Sequence, residues 1–185
     1  MGFYRRCVAT IAGVCLMLLS VSAISATACD QAKSVPVHYS GGEREDTLTV
    51  SVAGDPCSKA TVKITVDRAD GVRIYNYQGS FIEHMPFLIY EPDLSHLVVF
   101  FLDKVLNVAM QQTTADLHEY SGVESFYEAT NNFVVVPLPE YQALRNSDKV
   151  QSLLWHATGD ASWMHAVYDP KTQSSRVIMR GGVFE

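Results

Sequence analysis

The chain has 185 residues, 48% of them hydrophobic and 18% charged, which is the composition of a single globular domain with enough apolar material for a core. Its formal net charge of −6 has the wrong sign for nucleic acid or an anionic membrane surface, and no run of Lys and Arg offsets it locally. Nucleic-acid binding is therefore excluded as an expected function.

In chain order, Arg5 and Arg6 precede an apolar run from Val8 to Ile24, and Ala26-Thr27-Ala28 leads into Cys29. A charged head, an apolar middle and a small-x-small site make an export signal. Residues 1–28 are thus expected to be cleaved, leaving 29–185 as one periplasmic or secreted domain. Losing Arg5 and Arg6, the only charges of that leader, takes the net charge from −6 to −8. A retained anchor is the alternative, because the run approaches the roughly 20 residues of a spanning helix. The small residues at its end favour cleavage. The flanks of Arg5-Arg6 fit a twin-arginine signal poorly.

Cys7 and Cys15 leave with the signal, so the mature chain keeps Cys29 and Cys57. A Cys29–Cys57 disulfide uses both and would stabilise the fold by roughly 3–4 kcal/mol on the loop-entropy model. The alternative is a lipid anchor on Cys29, making the protein a membrane-anchored lipoprotein. Ala26 is smaller than the Leu usual at such a site, and lipidation would leave Cys57 as an unpaired exported thiol.

Residues 29–46 are expected to be a flexible lead-in, ending in the polar, glycine-containing Ser40–Asp46. Leu48–Val52, Ala60–Val66 and Val72–Tyr77 alternate apolar with polar residues and are rich in β-branched and aromatic types, so they predict an antiparallel meander of three strands. Glu83-His84 follows it at an expected turn or rim. From Asp93, a candidate N-cap, Leu94, Leu97, Val98, Phe101, Leu102, Val105, Val108 and Ala109 recur at helical spacing, with Asp103, Lys104, Asn107 and Gln111 off the stripe. Asp103 and Lys104 interrupt the run, so this is a core helix and not a membrane span. Ala115–Asn131 is expected to be helix and loop.

Phe133–Val136 reads as a buried strand stopped by Pro137, and Pro139 as the first turn of a short helix ending at Arg145. Val150–Ala157, Ser162–Tyr168 and Ser174–Arg180 predict a second three-strand meander. The fold class that follows is α+β: antiparallel sheet from two meanders, one long amphipathic helix and one or two short ones.

Reactive side chains are densest between Trp155-His156 and Trp163-Met164-His165, with Asp160 between them. If Gly159-Asp160 is a two-residue hairpin loop, His156 lies opposite Trp163 and His165 opposite Leu154. Both histidines then share one face as diagonal neighbours roughly 7–8 Å apart, close enough for a common metal or substrate. The alternative is packing, since Trp, His and Met are ordinary strand residues and no third ligand is evident. His118-Glu119 begins like a zinc-protease helix but lacks the second histidine. No nucleophile elbow, P-loop, dinucleotide fingerprint or Cys-x-x-Cys is present, so no cofactor is called for.

The build, a small exported β-rich domain with one disulfide, resembles periplasmic inhibitor and accessory proteins in architecture alone, which is weak ground for function. The leading expectation is a non-enzymatic envelope protein that binds another protein or a cell-wall component. The rival is a small exported hydrolase or metal-binding enzyme using His156 and His165, with Asp160.

Overall fold

A computed structural model describes residues 29–85, 95–120 and 132–182. The expected export leader over residues 1–28, the candidate cap Asp93 with Leu94, and the second half of the Ala115–Asn131 segment lie outside the described residues.

The first sheet is an antiparallel meander of β1 (Gln31–Val37), β2 (Asp46–Ala53), β3 (Thr61–Asp67) and β4 (Arg73–Ser80), in that spatial order. Leu48, Val50 and Val52 of β2 stand opposite Val66, Ile64 and Val62 of β3, and all six are buried. Period-two alternation thus puts one apolar row per strand onto a common face, where cross-strand pairs stabilise the sheet. The alternate positions carry Thr, Ser and Lys, so the opposite face is polar.

β1 corrects the expectation of a flexible lead-in over 29–46. Gln31–Val37 pairs along the whole of β2, and only residues 38–45 form a loop. Its signal is weak in the sequence because Gln31 and Lys33 occupy inward positions and Pro36 interrupts the run. An edge strand tolerates proline, and Lys33 reaches Asp103 of the long helix at 2.6 Å. Asp46 closes the loop by accepting hydrogen bonds from the Tyr39 and Ser40 amides at 3.2 and 2.6 Å.

After β4 comes the single turn α1 (Phe81–His84), then α2 (Ser95–Val108). Val98, Phe101, Leu102 and Val105 are buried, while Asp103, Lys104 and Asn107 are exposed, as the helical spacing predicts. The buried stripe packs on β1, β2 and the strand Ser152–Ala157 of the second sheet.

The second sheet is antiparallel, in the order β5 (Gln112–Thr113), β7 (Ser152–Ala157), β8 (Ser162–Asp169), β9 (Ser174–Gly182), β6 (Asn132–Val134). β6 corrects the expectation of a buried strand over Phe133–Val136. A continuous apolar run implies cover on both faces, yet β6 sits at the sheet edge with β9 as its one neighbour, and Phe133 is 44% exposed. The short helix α3 (Leu138–Arg145) carries Pro139 in its first turn and buries Tyr141 against Leu153, Val167, Ile178 and Met179. Leu154, Ala166 and Tyr168 point the other way, into the larger core shared by the first sheet and α2. The second sheet is therefore covered on both faces. Two antiparallel sheets with few helices make this an α+β fold.

Candidate functional site

The β7–β8 hairpin decides where the two histidines point. Its loop has three residues, 159–161, closed by a Thr158 N–H donating to the Ser162 carbonyl at 2.8 Å. His156 therefore stands opposite Met164, and His165 opposite Trp155. The expected two-residue loop placed them one register step away, and a one-residue slip reverses every facing. His156 and His165 lie on opposite faces of the sheet and share no site. Asp160 is exposed at the loop tip. Behind the loop, Gly182 has φ +114°, and a Cβ there would collide with the Ala161 carbonyl. Glycine lets the end of β9 run directly under the three-residue turn.

His156 is fully buried between the sheets. Its Nδ1–H donates to the Ala157 carbonyl at 2.7 Å, and the Tyr75 hydroxyl bonds to its Nε2. The Tyr77 ring lies against it at 4.5 Å between centroids, tilted by 50°. Burial, and then the neighbouring His84 and His165, hold its pKa down to about 4. Burial raises the phenols in turn, Tyr77 to about 12. His84, expected at a rim, is also buried. It bonds the Ser80 carbonyl through Nδ1 at 2.7 Å and the Tyr77 hydroxyl through Nε2 at 3.3 Å, and burial lowers its pKa. A Cβ on Gly79 would come within 2.9 Å of the His84 ring, so the glycine makes room for it. Both histidines have the bonding pattern of neutral core residues.

His165 differs. It is 8% exposed, and Nε2 lies 2.5 Å from the Gln112 side-chain oxygen. That oxygen accepts, so Nε2 carries the proton and Nδ1 keeps a lone pair, which has no hydrogen-bond partner. Burial, and then His118, hold its pKa down to about 4. His165 lines a cavity of about 160 Å³ together with His118, Met179, Trp155 and Trp163. The sequence put His118 aside as half of a missing zinc motif, and only the fold brings it to His165.

An apolar groove of about 470 Å³ lies between α2 and the β7–β8 hairpin. Phe100, Phe101, Val105, Met85, Trp155 and Trp163 supply its apolar lining, with Lys104, Asp160 and Ser162 as polar members. Phe100 is 58% exposed. Its signal in the sequence is an aromatic residue just off the buried stripe of an amphipathic helix, a position that normally carries a polar side chain. Trp155 and Trp163 line both concavities and form the wall between them. A polar depression of about 490 Å³ lies beside the 40–46 loop. Of its charged groups, Arg68 pairs with Asp70 and Asp46 binds loop amides, while Glu43 and Arg44 belong to the exposed loop at its rim.

Cys29 and Cys57 are paired, with Cα atoms 5.5 Å apart. Among the described residues no helix is long and apolar enough to cross a membrane, and no three His, Cys, Asp or Glu side chains converge to hold a metal ion. Comparison with protein-family models, curated proteins and solved structures returns no match.

Proposed function

We propose that this protein is an exported, disulfide-bonded binding protein of the cell envelope, and that it holds an apolar segment of a partner protein in the groove between α2 and the β7–β8 hairpin. The observation that carries this reading is the groove itself, lined by two tryptophans and walled by Phe100 at 58% exposure. A mostly apolar concavity with a few polar groups at fixed positions is the usual form of a binding site, and exposed aromatics are the residues that dominate binding energy at interfaces. A protein segment suits it better than a glycan strand. Of the polar groups there, Ser162 is already bonded to Thr158 and His84 to Ser80, leaving Lys104 and Asp160 for contacts to a ligand.

The compartment follows from the leader and the cysteines together. A cysteine pair suits an oxidising space. Cys29 is 4% exposed and bonded to Cys57, which supports a disulfide over a lipid thioether at that sulfur. Periplasmic or secreted is the location that fits. The test places a photo-reactive phenylalanine analogue at position 100 and, as a control, at Gln78 on the polar face of the first sheet. Illumination of intact cells should yield a protein adduct from position 100 alone. Adducts confined to cell-wall fragments, or equal labelling from both positions, would overturn the reading.

A further inference from the structure

We propose that the smaller cavity, behind the two tryptophans, binds one soft metal ion, copper(I), through Nδ1 of His165, the thioether of Met179 and the imidazole of His118. This site is independent of the groove reading, because its donors line the other side of the tryptophan wall.

Three buried histidines occur among the described residues, and two of them use both ring nitrogens in hydrogen bonds. The third, His165, has an unpartnered Nδ1 in a residue that lines a cavity. A metal-binding imidazole typically donates its other N–H to a carbonyl or carboxylate oxygen, which fixes the tautomer and turns the lone pair toward the ion. Gln112 gives Nε2 of His165 that partner, at 2.5 Å.

The remaining donors are placed by the sheet and by Tyr141. Met179 stands directly opposite His165 in the β8–β9 register, so the two side chains leave the same face as nearest cross-strand neighbours. The Tyr141 hydroxyl lies 3.0 Å from the His118 carbonyl oxygen and 3.5 Å from Met179 Sδ. One buried phenol thus draws the His118 backbone and the thioether together at the cavity. His118 and Gln112 are exposed, so the cavity is reached from solvent on that side.

The donor types choose the ion. Thioether sulfur is a soft ligand that selects copper(I), and imidazole binds copper as well. A divalent ion that prefers harder donors would need a carboxylate beside the two imidazoles. Asp116 also lines the cavity, but its Oδ2 is held by the Thr113 amide and hydroxyl at 2.7 and 2.9 Å, and no three His, Cys, Asp or Glu side chains converge among the described residues. Trp163, whose ring centroid is 4.8 Å from that of His165, adds an aromatic face beside the cation.

The experiment titrates the purified protein, with Cys29 and Cys57 oxidised so that no thiolate competes, with copper(I) under anaerobic conditions against a chromophoric copper(I) chelator. One equivalent should be retained, with quenching of tryptophan fluorescence and a shift of the Met179 methyl resonance. Met179→Leu conserves side-chain volume and His118→Ala is at an exposed position, so both should stay folded by circular dichroism. Each should weaken binding by about tenfold or more, whereas His38→Ala should not. Failure to compete with the chelator, unchanged affinity in both variants, or zinc(II) held as tightly as copper(I) would each overturn the proposal.

Discussion

A histidine with no exposed surface is an acid sensor whether or not the protein uses it as one. His156 is folded neutral, with a pKa near 4 against an ordinary value of about 6.5. Above pH 6.5 it is neutral in both folded and unfolded chains and does not affect their balance. Between about 6.5 and 4 the unfolded chain takes up the proton and the folded one does not, so stability falls as pH falls. The full difference is roughly 3 kcal/mol. Urea unfolding midpoints should therefore drop between pH 7 and pH 4.5, and His156→Phe, which cannot be protonated, should make that drop smaller, leaving the part that the buried His84 and His165 contribute. An unchanged slope in the variant would show that His156 is solvated. The residues of this region were legible in the sequence as a cluster, but their partners were not. Facing depends on whether the β7–β8 loop has two residues or three, and Gly159-Asp160-Ala161 suits either. His118 and Met179 were invisible as neighbours of His165 because their proximity comes from strand order and from Tyr141, not from spacing along the chain.

At the scale of elements, α2 is the piece whose sequence pattern most directly states its packing. Phe101 is buried mid-stripe and its ring meets Phe81 edge-on at 5.5 Å, while Lys104, three residues on, is exposed. Phe101→Ala should cost roughly 3–5 kcal/mol through lost burial and a residual cavity. Lys104→Ala should change stability by about half a kcal/mol or less. Denaturant melts of the two variants check this, and similar losses at both would mean the helix face is misassigned. β2, β3, β4 and β7 to β9 were legible for the same reason as α2: each repeats a period over enough residues to name its buried side. β1 and β6 were not. An edge strand has one paired side and partial cover, so β1 keeps Lys33 on its inner side and β6 leaves Phe133 half in solvent. Their sequences follow the constraints of an edge rather than those of a core.

For the whole molecule, the Cys29–Cys57 pair ties the segment that leads into β1 to the turn between β2 and β3. Cys57→Ser should lower stability by roughly 2–4 kcal/mol, chiefly by freeing the unfolded chain. Mass spectrometry of the native protein should show both sulfurs oxidised, and a free Cys57 thiol with an acyl mass on Cys29 would refute the pairing. The pair also bears on how molecules meet one another. Cys29 lies two residues before the first residue of β1, and β1 covers the outer edge of β2. As the sheet's boundary, β1 is a poor template for another chain, since Pro36 lacks an amide and Lys33 carries a charge. Were the bond reduced and β1 to peel away, the boundary would become the Asp46–Ala53 strand, alternating and free of proline. Such an edge recruits strands from other copies, so a bond that helps to keep β1 in place also guards that edge against aggregation.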